Sequence, residues 1–392
     1  MPIINRIADF HADMTAWRRD FHTHPELGFD LPRTSAKVAE YLRGFGVDEV
    51  VTGIAKTGVV GVIRGRNAEN GRAIGLRADM DALPIPEETG APYASRTPGV
   101  MHACGHDGHT TMLLGAARYL AETRNFDGTV YVIFQPAEEG EGGGRVMVEE
   151  GLFERFPMDQ VFGLHNWPGL PAGSFVWRDG PIMAATGEIS ITITGRGAHA
   201  AKPNESVDPI LVAAHIVTGL QSIVSRNMEP TEAGVVTIGQ IAAGNADNVI
   251  PERAVMGGTA RWFSPAVGDV LEAGVHRVAK GVAAAFGATV EVAFRRNYPA
   301  TINDPEATAL TVKAATAVAG AARVEPMARP TMGAEDFAYM LNAKQGSYIM
   351  LGTARPDARN AGLHHPAYDF NDEILPVGAS YWATLAEQLL AA

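Results

Sequence analysis

The sequence of 392 residues contains a single cysteine, Cys104. One thiol excludes an intramolecular disulfide framework, and this usage is typical of a reducing compartment. No apolar run approaches the roughly 20 residues that a membrane-spanning helix needs. The N-terminal stretch lacks the apolar segment of a signal peptide and carries Asp9 and Asp13 early. We therefore expect a cytoplasmic protein without a membrane partner.

Basic residues are also scarce. The chain has 32 lysines and arginines against 44 aspartates and glutamates, and its formal net charge is −12. This balance argues against nucleic acid as the main partner, because phosphate binding needs a basic surface. Hydrophobic residues make up 46% of the chain, which is enough apolar surface to exclude disorder. The length is too great for one ordinary core and predicts two domains.

Apolar runs broken by glycine alternate with helical patterns in the first part of the chain. Strands are predicted at 58–65, 72–80, 128–135 and 161–167, and helices at 34–45, 109–122 and 144–153. Such alternation favours an α/β layer built on a mixed, mainly parallel sheet.

The pattern changes near Gly187. The order becomes strand, helix, strand, strand, helix, strand, at 187–197, 208–227, 233–244, 252–263, 267–287 and 288–297. This order is typical of an α+β ferredoxin-like unit, with one sheet face covered by helices and the other face open. The first pattern resumes afterwards. The predicted fold class is therefore α/β with an inserted α+β domain, divided into 1–185 with 300–392, and 186–299.

Ionisable side chains follow the predicted strands of the larger part. They are Asp79 and Asp81, Glu138 and Glu139, His165, and His364 with His365, while Cys104 and His106 precede a predicted helix. Sites in open α/β sheets form beyond the carboxyl ends of the strands, so these groups are expected at one edge. Together they exceed the needs of one tetrahedral ion and fit two ions about 3.5–4 Å apart. Taken singly, such a histidine is more often packed than a ligand, a pair of glutamates is usually solvated, and a lone cysteine is usually a small buried residue.

Seven ordered motifs carry a resemblance that covers nearly the whole chain. They are RADMDALP (77–84), MHACGHDGHT (101–110), QPAEEG (135–140), GLHNWP (163–168), GRGAHAAKP (195–203), NVIPERA (248–254) and HHPAYDFND (364–372). In these motifs the chain resembles the dinuclear-metal amidohydrolases of the aminoacylase–carboxypeptidase superfamily. The branch that it resembles includes hippurate hydrolase and the indole-acetyl-amino-acid hydrolases.

The resemblance implies a role for each matching residue. Glu138 matches the general acid/base, and Asp79 matches a carboxylate that supports a metal ligand by hydrogen bonding. His199 matches a histidine that reaches into the active site of a partner subunit, and Asn248 matches an asparagine near the substrate. The residues that match metal ligands are Cys104, His106, Glu139, His165 and His364.

The resemblance also implies cofactors and an assembly. The cofactors are two divalent metal ions, and Cys104 binds them as a thiolate, which favours zinc, cobalt or nickel over magnesium. The resemblance to this family adds manganese as a further candidate metal. Residues 1–185 and 300–392 are expected to form the catalytic domain, and residues 186–299 a dimerisation or lid domain. The chain is thus expected to be a homodimer, possibly a higher homo-oligomer.

Further residues have open interpretations. Arg261 and Arg295 could bind a substrate carboxylate through two hydrogen bonds, but a solvated arginine on a strand is equally consistent. His102 and His109 are expected either to pack or to support a metal ligand. Asp107 could be a helix cap or a first-turn carboxylate.

The predicted reaction is hydrolysis of the amide bond of N-acyl amino acids, of hippurate-like, N-acetyl or aryl-acyl type. Its products are a carboxylate and a free amino acid. One alternative is a dipeptidase or carboxypeptidase with the same metal chemistry. Another is a non-catalytic dimeric binding protein that kept the fold. Its sequence would be expected to lack one of the metal-ligand residues or Glu138.

Overall fold

The computed structural model describes residues 3–356 and 360–391, which fold into two compact units. The first unit contains the described residues up to Ile182, Thr301–Arg329, and the described residues from Asp336 onward. The second unit contains Met183–Ala300 and Pro330–Glu335. The second unit is therefore inserted between parts of the first. The catalytic and lid roles assigned to these parts stay predictions.

The helices and strands are numbered in chain order. The helices are α1 (Asn5–Ala8), α2 (His11–Thr23), α3 (Pro32–Gly44), α4 (His106–Thr123), α5 (Gly143–Glu149), α6 (Leu152–Arg155), α7 (Pro209–Arg226), α8 (Pro265–Ala285), α9 (Pro305–Ala319), α10 (Phe337–Ala343) and α11 (Leu375–Leu389). The strands are β1 (Glu49–Ile54), β2 (Gly58–Arg64), β3 (Ala73–Asp79), β4 (Thr129–Gln135), β5 (Gln160–Pro171), β6 (Phe175–Trp177), β7 (Gly180–Met183), β8 (Ala185–Thr194), β9 (Ala198–His199), β10 (Gly234–Ala243), β11 (Val249–Ile250), β12 (Arg253–Trp262), β13 (Thr289–Arg296), β14 (Thr301–Asn303), β15 (Val324–Pro326) and β16 (Gly346–Ala354).

The first unit is built on an eight-stranded sheet in the order β1-β2-β4-β3-β5-β16-β6-β15. The central strands β4, β3, β5 and β16 are parallel, whereas β1 and β2 extend one side antiparallel. Every residue of β3 is buried, as expected for a parallel strand covered on both faces. Helix α4 packs against α2 and α11. The predicted mixed, mainly parallel sheet is confirmed.

The second unit is a four-stranded antiparallel sheet in the order β10-β12-β8-β13. Its chain order, with α7 and α8 as the two crossover helices, is the predicted ferredoxin-like order. Strand β8 alternates, with Ile189, Ile191 and Ile193 buried and Glu188 exposed. Alternation of this kind places one face on the core and leaves the other face open. The inserted α+β unit is thus confirmed as well.

The helices of the second unit have clear start signals. The Asp208 side chain accepts hydrogen bonds from the backbone at the start of α7, and Ser264 does the same for α8. Proline follows each cap as the first helical residue, where its missing N–H has no intrahelical partner to lose. With these caps α7 begins within one residue of its predicted start, whereas α8 begins at Pro265, two residues before its predicted start at 267.

Helix α7 is long and apolar enough, by length and composition alone, to cross a membrane. The sequence expectation of no such run is therefore wrong for this segment. Its buried residues Val212, Ile216, Leu220 and Ile223 recur at helical spacing and belong to the apolar core of the second unit. This core accounts for part of the apolar composition, whereas Ile210, Leu211 and Val224 of the same helix are exposed.

The two ends of the inserted segment are hydrogen-bonded to each other. The Thr186 backbone N–H donates to the Tyr298 carbonyl at 2.9 Å, and the Asn297 N–H donates to the Thr186 carbonyl at 2.9 Å. Residues 330–335, expected with the larger part, join the second unit instead, because the Ala184 N–H donates to the Gly333 carbonyl at 2.8 Å.

Three local expectations differ from the structure. His165 is not at a strand end, because β5 continues to Pro171 by pairing with β16 as far as Ala354. The helix predicted from residue 109 begins at His106. The helical stretch predicted at 144–153 is divided into α5 and α6, since Gly151 lies between them with φ +84°.

Candidate metal centre

The five predicted metal ligands meet in the first unit, and we call them the donor cluster: Cys104, His106, Glu139, His165 and His364. Overlapping triads bring their ligand atoms within 4.8 Å of one another, namely Cys104 with His106 and His165, and Cys104 with Glu139 and His364. The Cys104 Sγ atom lies 3.5 Å from His165 Nε2, and His364 Nε2 lies 3.2 Å from Glu139 Oε1.

Three strands of the sheet and one helix position these groups. Glu139 follows β4, His165 lies within β5, and His364 belongs to the loop between β16 and α11. Cys104 and His106 flank Gly105, which has φ +90° just before α4. A Cβ atom at Gly105 would lie 2.5 Å from Asn166 Nδ2 and 2.6 Å from the Tyr368 hydroxyl. Only glycine therefore fits the turn that brings the thiol and the imidazole to one place.

One buried atom of the cluster, His106 Nε2, has no hydrogen-bond partner among the described residues. Buried polar atoms are normally paired, because an unpaired one loses its water without compensation. Glu139 Oε1, the oxygen that His364 Nε2 approaches, lies 4.0 Å from His106 Nε2, which is too far for a hydrogen bond. A cation between these donors would give His106 Nε2 a partner. The donor set of thiol, imidazole and carboxylate also fits a borderline-soft divalent ion.

Two histidines of the cluster are oriented by hydrogen bonds from Nδ1, the ring nitrogen that does not face the cluster. His106 Nδ1 donates to the Asp81 carbonyl at 2.9 Å, and His165 Nδ1 donates to the Asn166 carbonyl at 2.6 Å. Both rings thereby present Nε2 to the cluster. This arrangement is typical of metal-binding histidines, whose second nitrogen is held by a backbone or carboxylate acceptor.

The protonation of the cluster depends on its charges. Burial raises the pKa of the Cys104 thiol well above its usual value, and the charges of Glu139 and Glu138 raise it further. Burial alone would lower the pKa of His106, but Asp79, Asp81 and Glu139 raise it to about 10. A concentration of negative charge thus surrounds these donors. A bound cation would reverse the effect on the thiol and favour the thiolate.

Asp79 lies beneath the cluster in a buried network. Its carboxylate accepts from His109 Nδ1 at 2.6 Å and from Arg77 at 2.7 Å. Burial would raise the pKa of Asp79, but the charges of His106 and Arg77 hold it well below its usual range. His109 Nε2 in turn accepts from the Asn166 backbone N–H at 2.9 Å. His109 therefore links Asp79 to the strand that carries His165, which agrees with the expectation of a supporting histidine.

Arg77 was not among the sequence candidates. It is buried and donates to Asp79, to Gln135 at 2.8 Å and to Asp336 at 3.0 Å. The Asp336 backbone N–H contacts Glu138 Oε1 at 3.4 Å. A signal was present, because residues two apart on a strand share a face. The spacing of Arg77 and Asp79 within β3 could have indicated an ion pair.

Asp107 lies in the first turn of α4, which is one of the two positions expected for it. It is buried between Arg18, at 3.2 Å, and His22, at 2.8 Å. Burial raises the pKa of Asp107, but Arg18 and His22 outweigh it and hold the pKa far below its usual range. His102, also buried nearby, has both ring nitrogens without hydrogen-bond partners in the described structure.

The remaining candidates lie in the second unit. Strand β9 pairs with β11 so that His199 faces Val249, and the Ala200 N–H donates to the Asn248 carbonyl at 3.0 Å. The structure thus brings His199 and Asn248 together. Arg261 lies near the far end of β12, roughly 26 Å of extended strand from Arg253, and is not brought to that pair. Arg295 is exposed and lies 3.8 Å from Glu188.

Comparison with known proteins agrees with this geometry. The family model described as Peptidase family M20/M25/M40 matches residues 75–388. Hippurate hydrolase of Campylobacter jejuni is 42% identical over 392 residues, which cover 100% of both chains. The N-acetylcysteine deacetylase of Bacillus subtilis is 40% identical over 379 residues, covering 96% of this chain and 97% of the relative.

A solved structure is similar over the same length. It is a Bacillus subtilis protein described as a dinuclear metal binding peptidase from the M20 family, and it is 36% identical with a TM-score of 0.83. The match covers 98% of this chain and 99% of that one. The chain therefore belongs to peptidase family M20/M25/M40, and within that family it is an amidohydrolase.

Proposed function

We propose that the protein hydrolyses the amide bond of N-acyl amino acids with the help of two divalent metal ions. The observation that carries this proposal is the donor cluster, in which His106 Nε2 is buried without a hydrogen-bond partner among the described residues. Relatives named for hippurate and N-acetylcysteine support an acylated amino acid as substrate. The dinuclear description of the solved neighbour supports two ions.

Cys104, His106, Glu139, His165 and His364 would hold the ions. When bound, the ions supply Lewis-acid polarisation of the substrate carbonyl and lower the pKa of water toward ~7. The thiol and imidazole donors favour zinc, cobalt or nickel, and manganese is the further candidate.

Glu138 is the proposed general acid/base. Its side chain is buried, and its carboxylate takes a proton from the attacking water and gives it to the leaving nitrogen. The two neighbouring glutamates thus have different tasks, since Glu139 is a donor to the ions and Glu138 moves the proton. A group in this role must lie within hydrogen-bond reach of the water that it activates.

Residues of the second unit are proposed to complete the site within a homodimer. His199 would donate a hydrogen bond to the developing oxyanion of a partner subunit, and Asn248 would lie near the substrate. Arg261 would bind the substrate carboxylate through paired hydrogen bonds. Burial lowers the pKa of Arg261, yet an arginine remains protonated at neutral pH. If His199→Ala leaves turnover unchanged, the oxyanion role of His199 is wrong.

A peptidase of the same metal chemistry is the second candidate, and the description of the family as a peptidase family favours it. The two candidates differ in the group on the carbonyl side of the amide that is cleaved. An amidohydrolase of this kind acts on an acyl group without a free α-amino group, whereas a dipeptidase requires an aminoacyl group that has one. A direct comparison of both substrate classes therefore separates them.

The test uses metal-stripped protein that is reloaded with manganese or zinc. Release of free amine is measured for N-acetyl, N-benzoyl and other aryl-acyl amino acids and for the matching free dipeptides. Metal-restored cleavage of the acylated members supports the proposal, and faster cleavage of free dipeptides contradicts it in favour of the peptidase. Two bound ions with no turnover on any member would favour the binding-protein alternative.

A further inference from the structure

Asp81 touches three residues of the proposed site at once. Its Oδ1 accepts the backbone N–H of Glu138 at 3.0 Å, and its Oδ2 accepts the backbone N–H of Glu139 at 3.0 Å. Its own carbonyl accepts His106 Nδ1 at 2.9 Å. The side chain is buried. The proposed base, one carboxylate donor and one imidazole donor are therefore all fixed to a single aspartate two residues beyond β3.

The backbone that Asp81 holds is in an unfavourable conformation. Ala137, directly before the two glutamates, has φ +56°, in the left-handed region that favours glycine and costs free energy for alanine. The turn is closed by Gly140 N–H donating to the Glu138 carbonyl at 2.8 Å and by Gly143 N–H donating to the Ala137 carbonyl at 2.9 Å. Such a conformation persists only where the surroundings enforce it.

A carboxylate is the side chain that suits this place. Both of its oxygens accept hydrogen bonds, so it can bind two adjacent N–H groups at the same time. An asparagine of the same shape keeps one acceptor but points an NH₂ group at the other peptide N–H. The two donors would then face each other, and one backbone N–H would lose its partner inside the protein.

We propose that Asp81 is a positioning residue for the metal centre and the base, holding Glu138 and Glu139 in their separate orientations by clamping the strained turn at Ala137. The inference rests on the proposed function of the donor cluster. Asp81 does not itself act on the substrate. It sets the direction of the two glutamates and, through its carbonyl, fixes His106 with Nε2 toward the cluster.

The experiment compares Asp81→Asn, Ala137→Gly and the double variant with the wild type, each reloaded with zinc or cobalt. Zinc affinity is measured by competition with a chelator, and the cobalt absorption spectrum reports the geometry of the donors. Circular dichroism and melting of the metal-free proteins verify folding. Asp159→Asn is the matched control, because Asp159 also caps a backbone N–H, that of Ala73 at 2.9 Å, outside the donor cluster.

We expect D81N to bind zinc about 10–100-fold more weakly, as is typical when a group that orients a ligand is removed. Its cobalt spectrum should change and kcat should fall more than KM rises. Glycine adopts the left-handed conformation without cost, so the double variant should recover several-fold of the lost affinity. D159N should keep wild-type affinity and spectrum.

Two results would overturn the proposal. One is wild-type zinc affinity and kcat in D81N, and the other is an equal loss from D81N with alanine or glycine at position 137. Failure of the proposed function looks different, because then the wild type itself binds no zinc or cobalt. If D81N does not fold, the double variant still provides the affinity measurement, and a loss there as large as 100-fold contradicts the role of the strained turn.

Discussion

The interiors of the two units differ in the types of side chain that they bury. In the first unit, charged side chains such as Arg18, Arg77, Asp79 and Asp107 are fully buried among the core elements. In Met183–Ala300, a segment described throughout, Thr186 is the only buried polar side chain, and the rest of the interior is aliphatic or aromatic. The interior of Met183–Ala300 is thus held together by packing, whereas the first unit also contains a network of buried ion pairs.

This difference indicates which buried residues only stabilise the fold and which also serve the donor cluster. Burying charge is costly unless every partner is present, so the polar interior of the first unit is expected only where it serves the donor cluster. The apolar interior of the second unit carries no such constraint. Substitutions in the first interior should therefore change metal binding or turnover, whereas substitutions in the second should change stability alone.

The largest expected effect is on turnover, from Glu138→Gln. Loss of a positioned acid/base typically lowers the rate about 10²–10⁴-fold, and metal affinity should stay near that of the wild type. Glu141→Gln is the control, since Glu141 is exposed in the same acidic loop. The measurements are kcat with an acylated substrate and zinc stoichiometry. A rate within tenfold of the wild type would contradict the role of Glu138.

The next effect is on folding, from Arg77→Met. Removing one member of a buried ion pair leaves uncompensated charge and costs about 3–5 kcal/mol of unfolding free energy. Zinc binding should weaken too, because Asp79 loses a partner. Arg178→Met is the control, since Arg178 donates only to backbone carbonyls such as that of Pro181, at 3.0 Å. Equal denaturant midpoints for the two variants would show that the ion pairs of Arg77 add nothing.

In the second unit, Ile191→Ala should affect stability alone. Ile191 is fully buried, and truncation of such a side chain costs about 2–5 kcal/mol. Zinc affinity of the folded protein should not change. Urea unfolding and chelator competition on the same sample provide both values. A coupled loss of zinc affinity would break the proposed separation between the two interiors.

The smallest effect is a pH dependence of stability from His22. Burial lowers its pKa, but hydrogen bonds to Asp107 and Glu87 outweigh burial and raise the pKa to about 9. The stabilisation is therefore complete below the unfolded pKa of about 6.5 and is lost as the pH rises through 9, amounting to at most about 3 kcal/mol. Urea midpoints between pH 6.5 and 9.5 should fall.

The fall of the urea midpoint with rising pH should be smaller in His22→Gln than in the wild type. It should be unchanged in His215→Gln, which alters an exposed histidine of the second unit. A pH profile of His22→Gln identical to that of the wild type would remove His22 as its source.

The same contrast explains what could be predicted from the sequence. The second unit was predictable as a fold because alternation along β8 reports directly on an apolar core. His199 and Asn248, which are proposed to act at the substrate, are exposed, so no burial pattern in the sequence reports on their partners. Helix α2 escaped prediction because its inner face carries Arg18 and His22 beside Met14 and Phe21, which weakens the apolar periodicity.

In the first unit, donor types after the strands indicated a metal site, but the bonds that orient the donors were hidden. Arg77 and Asp336 are 259 residues apart in sequence, and no spacing rule connects them. Strand β5 was predicted too short because Pro168 and Pro171 follow His165, and proline normally ends a central strand. Parallel pairing with β16 nevertheless carries the strand past Pro168 and as far as Pro171.

The hydrogen bonds between Thr186 and the segment of Asn297 and Tyr298 have a consequence for the entropy of the chain. Without them, folding of the first unit would have to close a loop of about 110 residues, at roughly 4 kcal/mol. Once the inserted unit has folded, its ends are already side by side. The larger unit then meets a short bridge in place of a long flexible chain, so the insert lowers the conformational cost of assembling the very sheet that it interrupts.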